Sequence, residues 1–216
     1  MCLLKRSNCR VLWAFLLGGL LPVSTDAASV LDGFEETVIV DNINAATTFT
    51  ILPDGRVLYA EQTGYLRVVI GEELLPEPAL DISERLDTYW ERGLVGITYD
   101  PDFPLSPYLY LVYVAKEPYT HHVISRFTLE GNRVDPNSEL VLLRGDDQSK
   151  ISGRVPAGHQ GGPIRFGPDG KLYVGIGEQL NSMASQSLTT IQGKILRINP
   201  DGLIPEDNPF YRQTYG

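Results

Sequence analysis

Cysteine is almost absent from this sequence, and both examples lie at its start. Cys2 and Cys9 are the only cysteines among the 216 residues, and both precede an apolar run at residues 11–23. Basic residues come before that run and small residues follow it, which is typical of a secretory signal peptide. We predict that residues 1–27 are such a signal peptide and that residues 28–216 form a secreted or periplasmic domain without disulfides.

The sequence also lacks a long apolar segment and a basic region. The run at residues 11–23 is shorter than the roughly 20 residues of a membrane helix, so we expect no membrane span after signal removal. A retained anchor or a buried helix is the alternative for this run. The formal net charge is -9, and no cluster of Lys and Arg follows the signal region. Binding to nucleic acid depends on such clusters, so no nucleic-acid partner is expected.

Several motifs of common enzymes and metal sites are missing. There is no Gly-x-Ser-x-Gly nucleophile motif, and Gly175-Ile-Gly177 lacks the third glycine of a dinucleotide fingerprint. His121 and His122 are adjacent, so on a strand they would point to opposite faces and could not share a metal ion. We expect a solvated or structural role for them.

Acidic side chains are the remaining candidates for metal ligands. Carboxylate oxygens suit a hard cation such as calcium. Without EF-hand spacing, a solvated face is the favoured interpretation, and the metal ligands stay unknown. The residues considered are Glu84, Asp87, Glu91, Asp146 and Asp147.

What the sequence does contain is a repeat built around Pro-Asp, at Pro53, Pro101 and Pro168. The positions two and four residues before each proline are apolar, which predicts a strand with one buried face. Pro-Asp-Gly suits a tight turn after such a strand. The strands expected after the turns, with three further ones, are Val57–Ala60, Tyr108–Ala115, Leu172–Ile176, 65–70, 123–129 and 194–198.

These prolines are 48 and 67 residues apart, which is close to the roughly 40–50 residues of a propeller blade if the longer interval contains an extra loop. We therefore predict an all-β fold, a β-propeller of which this chain forms three to four blades. A closed propeller has about four to eight blades, so we expect the chain to be the N-terminal part of a longer protein. A β-sandwich with coincidental turns is the alternative.

The repeat also aligns polar residues at one end of the strands. Asn44, Arg92 and His159 each lie nine residues before a repeat proline, and equivalent strand ends of a propeller meet at one mouth of its channel. Glu91, beside Arg92, would reach the same rim. A histidine with a pKa near 6.5 is a chemically reasonable general base. The alternative for His159 is a polar cap that binds backbone at the end of a strand.

Five stretches resemble the glucose/sorbosone dehydrogenase family, which comprises soluble sugar dehydrogenases that use pyrroloquinoline quinone (PQQ). The resemblance runs from about residue 33 to the end of the chain. It implies a propeller that has six blades in the full-length family, of which the first three to four lie here. The matching stretches are 91-ERGLVGITYDPDF-103, 108-YLYLVYV-114, 124-ISRFTL-129, 159-HQGGPIRFGPDGKLYVGIGEQ-179 and 193-GKILRINPDGLIPEDNPF-210.

The resemblance implies an activity and a set of site residues. An aldose would be oxidised at its anomeric C–OH to a lactone, with hydride transfer to PQQ and electrons passed to an external acceptor. His159 stands at the position of the family's catalytic base, and Gln160, Glu91 and Arg92 are expected in the substrate and cofactor pocket. The resemblance also implies calcium, and it implies that most ligands of calcium and PQQ lie beyond residue 216.

Two other interpretations stay open. Hedgehog-interacting proteins resemble the same propeller, so the chain could be a ligand-binding domain without catalysis. It could also be an incomplete, inactive fragment. Hedgehog-interacting proteins are usually rich in cysteine in their flanking domains, and the cysteine-free residues 28–216 favour the enzyme. The sugar, the electron acceptor and the oligomeric state are not determined by the sequence.

Overall fold

The computed structural model describes residues 31–211 and residue 213, and its regular structure is almost entirely antiparallel β-sheet. We call the three sheets blades 1, 2 and 3. Blade 1 contains β1 (Ala46–Ile51), β2 (Val57–Glu61), β3 (Tyr65–Ile70), β4 (Glu73–Leu74) and β5 (Leu80–Asp81). Blade 2 contains β6 (Leu94–Tyr99), β7 (Tyr108–Ala115), β8 (His121–Glu130) and β9 (Arg133–Arg144). Blade 3 contains β10 (Gly161–Phe166), β11 (Leu172–Ile176) and β12 (Lys194–Ile198).

The blades are arranged as in a β-propeller. Strand β6, the first of blade 2, packs against the first strand of blade 1 on one side and the first strand of blade 3 on the other. The predicted all-β fold is confirmed, and the three described blades agree with a partial propeller. The Pro-Asp repeat marks the turn after the first strand of each blade, and the bounds predicted for β3, β7, β11 and β12 are those observed.

Strand β7 shows how one sequence run serves two interfaces. Its side chains alternate: Leu109, Leu111 and Tyr113 join the core shared with blade 1, whereas Tyr110 and Val112 join the core shared with blade 3. Since successive strand residues point to opposite faces, a strand buried on both faces must be apolar throughout. This is why the run 108-YLYLVYVA-115 shows no polar alternation.

Each first strand also contains a β-bulge near its beginning. The register with the second strand shifts between Ala46 and Thr48 in blade 1, between Leu94 and Gly96 in blade 2, and after Gly161 in blade 3. A bulge bends its strand and turns side chains at that point. All three bulges lie at the strand end where the repeat aligns the polar residues.

Strand β9 and a short helix were not predicted from the sequence. Strand β9 is the edge strand of blade 2, and it is half-exposed and contains Pro136, which an edge strand tolerates. The helix α1 (Gln148–Ser152) is a single turn, too short for helical periodicity. Asp147 caps it by accepting a hydrogen bond from the Ser149 N–H at 3.0 Å, and Gly153 ends it with φ 72°.

The contact between blades 2 and 3 yields a stability prediction. A Cβ on Gly96 would lie 2.1 Å from the Gly162 carbonyl oxygen on β10 and 3.0 Å from Val112. We expect Gly96→Ala to lower the free energy of unfolding by about 1–3 kcal/mol, because a packed core does not accept added volume without shifting backbone. Gly175→Ala is the control, since its Cβ would meet the Pro163 ring at 3.1 Å. Equal urea midpoints for the two variants would contradict this packing.

Candidate functional site

Three segments meet at one end of blades 2 and 3. The segment before β6 contacts the segment before β10, where the Glu91 N–H donates to the Ala157 carbonyl at 3.3 Å. Strands β10 and β11 are antiparallel and pair Gly161 with Ile176. The residues that precede β10 and those that follow β11 therefore lie side by side.

His159 occupies this junction in a strained backbone conformation. Its φ is 57°, a left-handed value that a residue with a side chain adopts only when its surroundings enforce it. Its carbonyl accepts from the Gln179 N–H at 3.2 Å. A Cβ on Gly177 would lie 1.8 Å from the same carbonyl oxygen, so glycine is required there. The ring itself is 56% exposed and therefore open to a ligand.

The His159 ring forms a short contact with Glu178. Its Nδ1 lies 2.5 Å from Glu178 Oε1. An ionised carboxylate only accepts hydrogen bonds, so Nδ1 carries the proton and Nε2 is the free acceptor of the neutral ring. The bond to Glu178, followed by the charges of Glu178 and Glu91, raises the pKa of His159 above its usual value. In return, the bond to His159 lowers the pKa of Glu178.

Glu178 was not singled out by the sequence analysis, although a signal for it exists. In a hairpin, the residue two places before the first strand faces the residue two places after the second. His159 and Glu178 stand in that relation to the paired Gly161 and Ile176. Pairing the ends of the predicted strands would have identified the carboxylate.

Glu91 approaches His159 from blade 2. Its Oε2 accepts a hydrogen bond from the His159 N–H at 2.5 Å. A Cβ at Gly158 would lie 3.2 Å from Glu91 Oε1, so the absence of a side chain there gives the carboxylate its place. The rim around His159 therefore carries two carboxylates, Glu91 and Glu178, within direct contact of one residue.

Gln160 and Arg92 lie inside the fold. Gln160 is 1% exposed, and its Nε2 donates to the Pro156 carbonyl at 3.0 Å. Arg92 is 6% exposed, and its Nε lies 3.0 Å from Asp87 Oδ1 while its guanidinium stacks over the Tyr89 ring. These contacts with buried side chains stabilise the two segments of the rim. Asn44, the third residue that the repeat aligned, is exposed and precedes β1.

Asp87 holds the segment that presents Glu91. Besides its ion pair with Arg92, it accepts from the Tyr89 N–H at 3.1 Å and from Thr120 Oγ1 at 3.0 Å. We expect Asp87→Asn to cost about 1–3 kcal/mol of unfolding free energy, because the buried guanidinium loses its counter-charge. Asp54→Asn is the control, because Asp54 is exposed. The ion pair of an exposed residue contributes under about 1 kcal/mol. Chemical unfolding that gives the same midpoint shift for Asp87→Asn and Asp54→Asn would contradict this role.

Of the two roles expected for the histidine pair, solvated or structural, the structure shows the structural one for both residues. His121 and His122 are 0% and 1% exposed, on opposite faces of β8. Within residues 31–211, no group of three or more His, Cys, Asp or Glu side chains is arranged to hold a metal ion. Asp147, one of the acidic candidates, instead caps α1 and bonds Ser149.

Two clefts lie away from His159. The first, of about 370 Å³, contains polar side chains at α1. The second, of about 310 Å³, is an apolar groove along β1. The rim at His159 is by comparison an open surface formed by the segments before β6 and β10 and after β11.

Comparison with known proteins identifies the family. The model of the Glucose / Sorbosone dehydrogenase family matches residues 43–215. The chain belongs to the glucose/sorbosone dehydrogenase family. It is 29% identical over 219 residues to quinoprotein glucose dehydrogenase B of Acinetobacter calcoaceticus, covering 88% of this chain and 44% of that relative. It is also 26% identical to hedgehog-interacting protein of Mus musculus, covering 74% of this chain and 25% of that relative.

Solved structures agree with this assignment. An oxidoreductase (glucose dehydrogenase) from Thermus thermophilus superposes with a TM-score of 0.69 and 31% identity, covering 80% of this chain and 49% of that one. The PQQ-bound aldose sugar dehydrogenase of Streptomyces coelicolor gives 0.68 and 25%, covering 81% and 50%. The chain thus spans about half the length of these family members.

The N-terminal predictions stand apart from this site. The predicted signal peptide, residues 1–27, lies outside the described residues. In the part of the chain that the structure does describe, no helix is long and apolar enough to cross a membrane.

The rim residues fit part of what a quinone cofactor requires. His159 offers a free Nε2 beside a carboxylate, which suits removal of a proton next to a redox cofactor. The binding of PQQ is different, because PQQ carries carboxylates and the groups in contact with His159, Glu91 and Glu178, have the same sign. Arg92, the cation next to Glu91 in the chain, is already paired with Asp87. The rim therefore offers a free imidazole nitrogen, whereas the two carboxylates in contact with His159 offer no positive charge to the cofactor's carboxylates.

Proposed function

We propose that the full-length protein is a quinoprotein sugar dehydrogenase that oxidises an aldose to its lactone at the anomeric C–OH. The observation that carries this proposal is the short contact between His159 Nδ1 and Glu178 Oε1 at the propeller rim. This contact leaves the other ring nitrogen of His159 free to accept a proton, which the oxidation of a sugar hydroxyl requires. The family assignment supports the general class of enzyme, an oxidoreductase acting on sugars.

His159 is the proposed catalytic base. With Nδ1–H donating to Glu178, Nε2 is directed away from the carboxylate and accepts the proton of the anomeric hydroxyl. As that O–H bond breaks, electron density moves into the new C=O bond and weakens the bond from C1 to hydrogen. The imidazolium that results is stabilised by Glu178 at 2.5 Å and by the charge of Glu91.

The quinone supplies the redox half of the reaction. When bound, PQQ would supply the acceptor for the hydride of C1, so that two electrons leave the sugar while its proton stays on His159. An external electron acceptor is the proposed final destination of these electrons. We propose calcium as a second cofactor, because the resemblance to the family implies it. We propose that the cationic side chains that bind PQQ, and most of the oxygen ligands of calcium, lie in the part of the family's length that this chain does not span.

Glu91 has a second role in this proposal. Its Oε2 holds the His159 backbone N–H, which leaves Oε1 available to accept a hydrogen bond from a sugar hydroxyl. Gln160 and Arg92 act from beneath the surface, by holding the rim segments. We propose a secreted or periplasmic location, in agreement with the N-terminal apolar run.

The test is sugar-dependent dye reduction by the full-length protein in the presence of PQQ and calcium. A panel of aldoses is compared with the corresponding alditols, in which C1 is a primary alcohol and is no longer anomeric. Aldose-specific reduction is expected. Failure to bind the quinone together with no oxidation of any aldose would instead favour a binding propeller like the hedgehog-interacting relatives. The 216-residue chain alone is expected to be inactive.

A further inference from the structure

A group of buried polar side chains adjoins the His159–Glu178 pair. We call it the glutamine–histidine cluster; each member is at most 1% exposed. Polar side chains buried this completely require hydrogen-bond partners, so their arrangement constrains the segments that carry them. The members are His122 on β8, Gln148 on α1, Gln160, Gln179 and Gln192.

His122 is the acceptor at the centre of the cluster. Its Nδ1 lies 3.1 Å from Gln179 Nε2 and 3.3 Å from Gln148 Nε2. An amide nitrogen only donates, so Nδ1 must present its lone pair and the ring must be the neutral tautomer with its proton on Nε2. Burial lowers the pKa of His122 to about 4, which keeps the ring neutral at neutral pH.

The cluster is connected to both members of the pair by adjacency in the chain. Gln179 follows Glu178 and donates directly to His122. Gln160 follows His159, and its Oε1 accepts from Gln148 Nε2 at 3.0 Å, the same nitrogen that approaches His122. Thus the segments that carry His159 and Glu178 are both tied, within two hydrogen bonds, to one imidazole nitrogen.

These segments need such support. His159 and Gln179 have φ values of 57° and 55°, conformations that cost free energy unless the surroundings hold them. Direct backbone bonds between the segments, such as Gly177 N–H to the Gln160 carbonyl at 3.1 Å, set their spacing. The glutamine–histidine cluster fixes how deeply the two segments lie in the fold, because the side chains of Gln160 and Gln179 are both buried.

We propose that His122 is a positioning residue for the His159–Glu178 pair. Its neutral Nδ1 holds Gln179 directly and Gln160 through Gln148, and so keeps the Nδ1–Oε1 contact of the pair formed. His122 touches neither member of the pair. The catalytic consequence rests on the proposed function, whereas the consequence for the pKa of His159 does not.

The test compares His122→Leu with His122→Asn in the full-length protein. Leucine removes the acceptor nitrogen of His122, so the contact between His159 and Glu178 should be formed in a smaller fraction of the molecules. The pKa of His159, measured by NMR titration of its imidazole, should then fall toward the ordinary value. For aldose oxidation, kcat should fall by about tenfold or more with KM changed less, because a misplaced base slows the reaction rather than binding. Asparagine offers an oxygen near the place of Nδ1 and should restore both quantities substantially.

His121→Leu is the matched control. His121 is equally buried on the opposite face of β8, and its Nδ1 binds the Tyr119 carbonyl at 2.6 Å. This variant should lose stability and leave the pKa of His159 unchanged. If it lowers that pKa as much as His122→Leu does, the effect is general loosening of the blade and the proposal is overturned.

Gln148→Met covers the case in which His122→Leu does not fold. It breaks the connection between His122 and Gln160 with a side chain of similar length, and the pKa of His159 should again fall. A folded variant of either position with the wild-type pKa of His159 would overturn the proposal. If the pKa falls as expected but the wild-type protein oxidises no aldose, the positioning role stands and the proposed function fails.

Discussion

His159→Ala in the full-length protein is expected to lower kcat for aldose oxidation by about 10²–10⁴-fold, the usual contribution of a positioned general base. The loss follows from the geometry: no other group is held beside Glu178 with a free acceptor nitrogen in the described part of the rim. KM should change far less, since the ring is one of several groups that would contact the sugar. Steady-state kinetics with an excess of PQQ and calcium measure both quantities.

The same variant should fold normally. His159 is exposed, and its replacement leaves the backbone bonds of the junction in place. Thermal unfolding and quinone binding are therefore the controls. Activity within threefold of the wild type in a folded, quinone-loaded His159→Ala protein would show that another group takes the proton.

Glu178→Gln is expected to have the second largest effect, on the rate and on its pH dependence. Glu178 raises the pKa of His159 by its hydrogen bond and its charge. Only the neutral ring accepts a proton, so kcat/KM should rise with pH through that raised pKa in the wild type. Without the carboxylate the pKa falls, and the acidic limb of the profile should move to lower pH. At its plateau kcat should still fall by about 10²-fold or more, because the imidazolium formed in the reaction loses its counter-charge.

Glu91→Gln is the matched control for this change. Glu91 also raises the pKa of His159, but less than Glu178 does, and it binds the backbone N–H rather than the ring. Its replacement should move the acidic limb in the same direction by a smaller amount. A larger shift for Glu91→Gln than for Glu178→Gln would mean that the roles of the two carboxylates are exchanged.

The propeller was predictable because its signals are local. Alternating strands and Pro-Asp turns depend on neighbours within a few residues, so Pro53, Pro101 and Pro168 located three blades from the sequence. His159 followed from its constant offset to Pro168. The edge strand β9 escaped because an outer strand that is half-exposed and contains Pro136 has no clear alternation.

The interior of the site was not predictable in this way. Gln160 and Gln179 are polar, and polar side chains are usually exposed. They are buried here because His122, far away in the sequence, and Gln148 supply the hydrogen bonds that burial requires. The burial of Arg92 likewise depends on Asp87. These hydrogen bonds form between segments that only the folded blades bring together, so no spacing along the chain predicts them.

The most direct test of the central claim is lactone formation by the full-length protein, reconstituted with PQQ and calcium, from an aldose carrying hydrogen or deuterium at C1. We predict that the aldose is converted to lactone, that deuterium slows the conversion, and that His159→Ala slows it further without abolishing quinone binding. A folded, quinone-loaded protein that forms no lactone from any aldose would contradict the assignment of this rim as a sugar-oxidising site.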